Sequence, residues 1–224
     1  AATKMGRLGV VALSLAALAA TTEAFTAAPS SGIVRALHPA VATRPALRTG
    51  AQTLHAVYEP AIRIGHGFDI HRLAPKDVAG QGCVIGGVTI PDFDLGTEAH
   101  SDGDVLYHSV TDAILGALTL PDIGQFFPDT DPRWKGCDSE VFLDEAWKKM
   151  DERGYKLSNL DVTLILQQPR VSPIKDKMKD NLVRVLKTTD SQVNIKARTH
   201  EKVDSIGEGR ALSCHAVLIM EKKY

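Results

Sequence analysis

Cysteine is scarce and unpatterned in this chain. The 224 residues hold three, Cys83, Cys137 and Cys214, and no C-x-x-C pair. An odd, widely spaced set supports neither a disulfide framework nor a thiolate zinc cage, so the three read as buried free thiols in a reducing compartment. Excess charge is lacking too. The formal net charge is −1, and of the 26 basic and 27 acidic residues five and one respectively fall in residues 1–58. The remainder is mildly acidic, which argues against a phosphate-tracking surface and against nucleic acid as a partner. No G-x-x-x-x-G-K-[ST] loop is present and no G-x-G-x-x-G follows a strand. Any phosphate must therefore be held by a metal, by helix N-termini or by loop amides. Residues 60–224 contain no internal repeat and no low-complexity tract.

Acidic residues are absent from residues 25–57, which are rich in Ala, Pro, Ser, Thr and Arg. That is transit-peptide composition. Ahead of it, Met5-Gly6-Arg7 precedes the apolar run LGVVALSLAALAA at 8–20 and then small residues. This order describes a secretory signal peptide, and the run is too short for a comfortable membrane span. We read residues 1–24 as a signal peptide, with the four residues before Met5 upstream of the start, and 25–58 as a transit-peptide-like disordered segment. Together, with Phe25 at the junction, they resemble the bipartite presequences of algae with secondary plastids, which implies a plastid stroma as destination. The plainer alternative is a disordered Ala/Pro-rich tail. Neither reading places a packed core before residue 60, and neither leaves a membrane segment in the mature form.

The body, residues 60–224, has the length of one ordinary domain. It opens with a strand around residues 62–71. The stretch CVIGGVTIP (83–91) reads as a hairpin turning at Gly86-Gly87, and HSDGDVLYHSVTDAILGAL (100–118) as the strongest helix, capped by Ser101 or Asp102. A Pro/Gly/Asp-rich loop follows at 121–138, then a helix from about Ser139 to Arg153 that stops at Gly154. LDVTLILQ (160–167) is a nearly continuous apolar strand, with both faces covered. Ser172 and Pro173 open a helix to 187, and the last strands are 193–199 and 212–220. Loose alternation of this kind gives an α/β, or α+β sandwich, fold: one mixed sheet with helices on one face. The last strand is apolar at nearly every position, a hint that another subunit covers the other face.

The stretch GHGFDIH (65–71) is the most suggestive. Side chains two apart on a strand share a face. Ile62, Ile64, His66, Phe68 and Ile70 then fall on one side, and Gly65, Gly67, Asp69 and His71 on the other. Asp69 and His71 project together from a face that two glycines leave bare, while His66 reads as structural. The pair can grip a metal, form a catalytic Asp–His couple, or hydrogen-bond in a solvated turn. Three protein ligands with one open position suit a catalytic zinc, and His108 is the best third candidate. Its plain alternative is a core histidine bonded to Asp104 or Asp112. Asp102, Asp104, Asp112, Asp122, Asp129 and Asp131 supply carboxylates around the same elements, for magnesium, for sugar hydroxyls or for a solvated loop. THEK (199–202) offers Thr199 as a donor and Glu201 as a ligand for a hard cation or as a plain surface acid.

Six segments in order, RIGHGFDIHRL, IGGVTIP, AHSDGDVLYHSVTDAILGAL, DIGQFFPDTDP, DVTLILQQPR and VNIKARTHEKVDSIGEGR, resemble the 2-C-methyl-D-erythritol 2,4-cyclodiphosphate synthases of the non-mevalonate isoprenoid pathway, of plastid type. The resemblance spans about residues 62 to 221. It implies a homotrimer with sheets packed around a threefold axis and active sites between subunits. It also implies a metal-dependent phosphorus–oxygen lyase that cyclises 4-diphosphocytidyl-2-C-methyl-D-erythritol 2-phosphate and releases CMP. Asp69, His71 and His108 match the family's tripod for zinc or manganese. Glu201 matches the residue holding a magnesium or manganese ion at the diphosphate. His100 and Ser101 match positions that orient the attacking phosphate, and Thr199, with His200 beside it, the position that steadies the diphosphate. Asp122, Ile123, Gly124, Phe127, Pro128, Asp129, Thr130 and Asp131 match the sugar-holding loop. Leu166, Gln167, Gln168, Pro169, Arg170, Val171 and Ser172 match the turn that reads cytosine, mainly through backbone groups. The chain departs from the bacterial pattern after Glu201, where Ser205 and Glu208 replace an aromatic residue and an arginine and Arg210 is the one nearby arginine. A zinc-dependent phosphoester hydrolase and a non-catalytic nucleotide- or metal-binding paralogue are the competing readings.

Overall fold

In the computed structural model residues 59–224 are described; the signal and transit segments expected over 1–58 lie outside the described residues. Strand β1 (Ile62–Pro75) leads into a one-turn helix α1 (Lys76–Ala79). The hairpin strands β2 (Cys83–Ile85) and β3 (Val88–Ile90) follow, then β4 (Leu95–Glu98) and helix α2 (Val105–Ala117). The chain continues through α3 (Ile123–Phe126), α4 (Glu140–Glu152), β5 (Tyr155–Ile165), α5 (Lys175–Val185), β6 (Val193–Arg198) and β7 (Ala211–Lys222). Five strands form one sheet in the order β4-β1-β7-β5-β6, and β2-β3 make a separate two-stranded ribbon. β5 and β6 are parallel and the other neighbours antiparallel, so the sheet is mixed.

The alternation of β1 is as the sequence implies, but the apolar side is the open one. Ile62, Ile64, Phe68 and Ile70 are exposed, whereas Gly65 and Gly67 are buried. The glycine face is therefore not bare: it carries helix α2. A Cβ on Gly65 would stand 1.9 Å from the carbonyl oxygen of Ala113, and one on Gly67 would stand 1.8 Å from that of Ser109. Glycines on the strand and the small residues Ser109, Ala113 and Ala117, one turn apart on the helix, let the two backbones meet directly.

The remaining strands obey the same division. Leu212, Cys214, Ala216, Leu218 and Met220 of β7 are buried under the helices, while His215, Val217 and Ile219 look outward. A bulge between Leu157 and Asn159 shifts the register of β5 against β7. It keeps Tyr155 and Leu157 on the same buried side as Leu160, Val162 and Leu164, a phase that strict alternation would lose. Asp161 and Thr163 are half-exposed, so β5 is covered on one face only, contrary to the expectation of two.

Several expected caps are replaced. Neither Ser101 nor Asp102 caps α2; the cap is Asp104. Its Oδ1 accepts from Leu106 N at 3.0 Å, Tyr107 N at 3.1 Å and Gly86 N at 2.9 Å, and its Oδ2 from Gly87 N at 2.6 Å. One carboxylate thus caps the helix and ties down the β2–β3 turn, whose glycines have φ of +59° and +70°. Ser172 does not cap α5 but begins a 3-10 turn, Ser172–Ile174, that precedes it. Of the three free thiols, Cys83 and Cys214 are buried and Cys137 is only half-buried. Burial, with Asp104 nearby, pushes the Cys83 thiol up to about 12, which keeps it unreactive.

Candidate metal centre and its two cavities

The close approach of α2 to β1 sets the geometry of the site. Asp69 and His71 rise from the covered face of β1, and His108 descends from the first turn of α2. Asp69 Oδ2 lies 3.0 Å from His71 Nε2 and 3.0 Å from His108 Nδ1. The two histidine nitrogens are 3.1 Å apart. Tetrahedral zinc with bonds near 2.0–2.1 Å spaces its ligand atoms by about 3.3 Å, so this nearly equilateral triangle fits such an ion. Among the described residues it is the one cluster of three His, Cys, Asp or Glu able to hold a metal.

The electrostatics favour an anion among imidazoles. Burial alone would raise the Asp69 carboxyl, but hydrogen bonds from His108 and His71 hold it well below the usual carboxylate range. Burial would lower the His108 imidazole, and the Asp69 carboxylate reverses this and raises it. The His108 ring is not bonded to Asp104 or Asp112, the alternatives the sequence offered. Asp104 is the helix cap, and Asp112 accepts Ile123 N at 2.8 Å. The far side of the His108 ring instead meets Ser139 Oγ at 2.8 Å and Ser101 Oγ at 3.2 Å.

The tripod opens into a cavity of about 240 Å³ lined by His71, His108, His100, Ser101, Ile123, Gly124, Phe127 and Asp129, with Ala99, Trp134 and Phe142. His100 Nε2 is 3.3 Å from the carbonyl oxygen of Asp131, which pins the loop over the site. Asp122 caps α3 and accepts Gln125 N at 2.9 Å, while Asp131 pairs with Arg133 at 2.5 Å. Pro128 and Thr130 belong to the same loop without lining the cavity. Trp134 and Phe142 escaped the sequence reading: they pack on Phe127, with ring centroids 5.3 and 4.5 Å from it. Their helix and loop positions look like ordinary core, so no sequence signal marked them.

A second cavity of about 210 Å³ gathers Leu166, Gln167, Pro169, Arg170, Val171 and Ser172 with Ala197, Arg198 and Thr199. Gln168 faces a neighbouring groove with Lys202 and Glu208. Thr199 Oγ1 donates to Glu201 Oε1 at 2.6 Å, and Glu201 and Lys202 have φ of +51° and +62°. His200 pairs with Asp204 at 2.8 Å and Arg210 with Glu208 at 2.6 Å. Within one chain Glu201 does not join the Asp69–His71–His108 triangle. Two strands separate β1 from β6, about 14 Å at the usual interstrand spacing.

A family model described as the YgbB family matches residues 62–221. The chain belongs to the YgbB family. This YgbB-family chain is 48% identical over 227 residues, 92% of its own length and 100% of the relative's, to the chloroplastic 2-C-methyl-D-erythritol 2,4-cyclodiphosphate synthase of Oryza sativa. It is 59% identical over 161 residues to the chloroplastic synthase of Arabidopsis thaliana, covering 72% of this chain and 68% of the relative. Among solved structures it is similar to an IspF from Plasmodium falciparum in complex with CDP. That likeness has a TM-score of 0.65 at 36% identity and covers 75% of this chain and 100% of the other. The mixed sheet with helices on one face, expected from the sequence, is the fold of this YgbB-family chain.

Proposed function

We propose that the chain is a plastid 2-C-methyl-D-erythritol 2,4-cyclodiphosphate synthase. It cyclises 4-diphosphocytidyl-2-C-methyl-D-erythritol 2-phosphate and releases CMP. The observation that carries this reading is the Asp69–His71–His108 triangle opening directly onto His100, Ser101 and the 122–131 loop. In the reaction an oxygen of the substrate's own 2-phosphate bonds to the phosphorus of the diphosphate distal to cytidine. The bond from that phosphorus to the CMP oxygen breaks, and CMP leaves with the electron pair. No protein nucleophile is required, and orientation of the two ends supplies much of the rate.

When bound, divalent cations supply charge neutralisation and polarise the attacked phosphorus. We assign zinc or manganese to Asp69, His71 and His108, and magnesium or manganese to Glu201. The lyase class and the metal dependence follow from this reading. His100 and Ser101, on the rim of the triangle, orient the attacking phosphate. Thr199 steadies the diphosphate, and His200 stands beside it. The sugar lies along Asp122, Ile123, Gly124 and Phe127 to Asp131. The cytosine meets backbone groups of the turn from Leu166 to Ser172, where Arg170 in place of a lysine changes little.

A homotrimer completes the site. Two observations support it: tripod and cytosine turn open into different cavities of one chain, and the outer face of the sheet exposes a contiguous apolar strip of Ile62, Ile64, Phe68, Ile70, Val217 and Ile219. The plant relatives are named chloroplastic, which supports a plastid address. Stromal delivery by a bipartite leader, 1–24 then 25–58, is our reading of the N-terminal segment. No helix among the described residues is long and apolar enough to cross a membrane.

The deciding experiment incubates the protein with the cytidyl substrate and a divalent metal. Stoichiometric CMP and cyclodiphosphate are expected. Hydrolysis to an open-chain product would instead identify a metal-dependent phosphoester hydrolase, and no turnover a binding paralogue. Deleting residues 1–57 is expected to leave turnover and the trimer unchanged; loss of folding would overturn the targeting reading.

A further inference from the structure

Ser139 stands where a serine ordinarily caps a helix, immediately before α4. Its hydroxyl makes no cap bond, and its backbone is already helical, with φ −65° and ψ −12°. Asp138 serves the first turn instead, accepting Glu140 N at 2.8 Å. The released hydroxyl is fully buried. It lies 2.8 Å from His108 Nε2 on one side and is hydrogen-bonded to Asp102 Oδ1 on the other. Asp102 grips the same residue a second time, its Oδ2 accepting Ser139 N at 3.2 Å.

Counting protons gives this chain a direction. A carboxylate only accepts, so the one hydroxyl proton of Ser139 goes to Asp102. The Ser139 oxygen is then the acceptor toward His108, and the proton between them belongs to Nε2. A neutral imidazole protonated at Nε2 carries its lone pair on Nδ1. That is the nitrogen 3.0 Å from Asp69 Oδ2 and 3.1 Å from His71 Nε2. Ser101 Oγ makes the longer contact to Nε2, at 3.2 Å, and lies 3.5 Å from Ser139 Oγ, so it is the weaker partner of both.

We infer that Ser139, held by Asp102, is a positioning residue. It selects the tautomer and fixes the ring of His108, and thereby sets the metal affinity of the tripod. Partners of this kind on metal-bound histidines orient the ring and typically change affinity about 10–100-fold. The inference rests on the metal reading of Asp69, His71 and His108 given above.

The test uses the full chain and the variants Ser139→Ala, Ser139→Thr, Asp102→Asn and His108→Ala. Zinc binding is measured by competition with a chromophoric chelator, and the cobalt-loaded proteins are compared by visible absorption. Ser139→Ala is expected to bind zinc about 10–100-fold more weakly than the parent, with an altered cobalt band. Asp102→Asn should move both readouts in the same direction, and Ser139→Thr, which restores the hydroxyl, should recover most of the loss. A merely structural role would lower the melting temperature without shifting the cobalt band and without rescue by threonine. Parental zinc affinity and an unchanged cobalt band in Ser139→Ala overturn the inference. Should that variant fail to fold, Asp102→Asn decides by the same two measurements. Loss of zinc in His108→Ala beside an unaffected Ser139→Ala removes the relay alone, whereas parental affinity in His108→Ala removes the metal reading with it.

Discussion

The two faces of β1 make opposite use of one alternation. On the helix side, Gly65 and Gly67 give up side chains so that α2 can lie directly on the strand, and the next two positions, Asp69 and His71, use that nearness to reach His108. On the outer side, Ile62, Ile64, Phe68 and Ile70 keep large apolar side chains that nothing among the described residues covers, 46–69% exposed. At the centre of this side His66 stacks on His215, with ring centroids 5.4 Å apart, and Phe68 leans on His215 at 4.7 Å. One face gathers polar side chains under a helix and the other stays apolar and exposed. Close packing and a polar cluster therefore belong to the first, and loosely held apolar surface to the second.

That contrast is broken most severely by His108→Ala, which removes the third ligand. The variant is expected to lose the tripod metal and nearly all turnover; a purified variant that retains both contradicts the assignment. Gly67→Ala comes next. Its Cβ would stand 1.8 Å from the Ser109 carbonyl oxygen, and the helix cannot yield without repacking. A loss at the upper end of the usual overpacking range of about 1–3 kcal/mol is expected in chemical denaturation, along with weaker metal binding as His108 moves away.

On the outer face, Ile64→Glu should act in the reverse manner. Ile64 is 69% exposed, so the fold of a single chain should change by no more than about 0.5 kcal/mol. The assembly should fall to a smaller species in light scattering, with loss of turnover at low protein concentration. A stable trimer in this variant would place the interface elsewhere.

The pH response separates the faces further. Asp69 is depressed in the folded state, so its contribution is present above its unfolded value of about 3.9 and lost as pH falls through its folded one. His108 is raised, so its contribution is complete below about 6.5 and lost as pH rises through its folded value. Metal binding needs the neutral imidazole and so strengthens over the same rise. Melting temperatures taken relative to His108→Ala should therefore fall with rising pH in chelator and climb in zinc; parallel trends would count against the pairing. The smallest effect is on the outer face. The Lys196–Asp161 pair, 2.5 Å apart and largely exposed, should be worth less than about 1 kcal/mol and should vanish in high salt, as Lys196→Ala will show in denaturation.

Much of this organisation was legible in the residues. Alternation along β1 fixed which side chains travel together. The Gly86-Gly87 pair announced a hairpin turn, which it makes, and the spacing of Val105, Leu106, Val110 and Ile114 announced α2. What misled was the meaning of a bare face. Glycine leaves room, and periodicity does not say whether a ligand or a helix takes it. Caps were misplaced for a related reason. Ser101, Asp102 and Asp104 are all competent caps, and the choice fell to Asp104 because its carboxylate also collects two amides of the β2–β3 turn. Ser139 read only as the approximate start of α4, and its neighbours show where its hydroxyl goes.

The sequence by itself determined the strand faces, the helix stripes, the set of residues able to bind a cation and the family they belong to, because these follow from local period and residue type. Tertiary structure alone decided that His108 meets Asp69, that Asp102 and Ser139 stand behind it, and that the turn from Leu166 to Ser172 opens with Thr199 into a different cavity. Those outcomes depend on how closely a helix can lie against a strand and on which partner a single hydroxyl proton finds. Both are set by contacts between residues far apart in the chain.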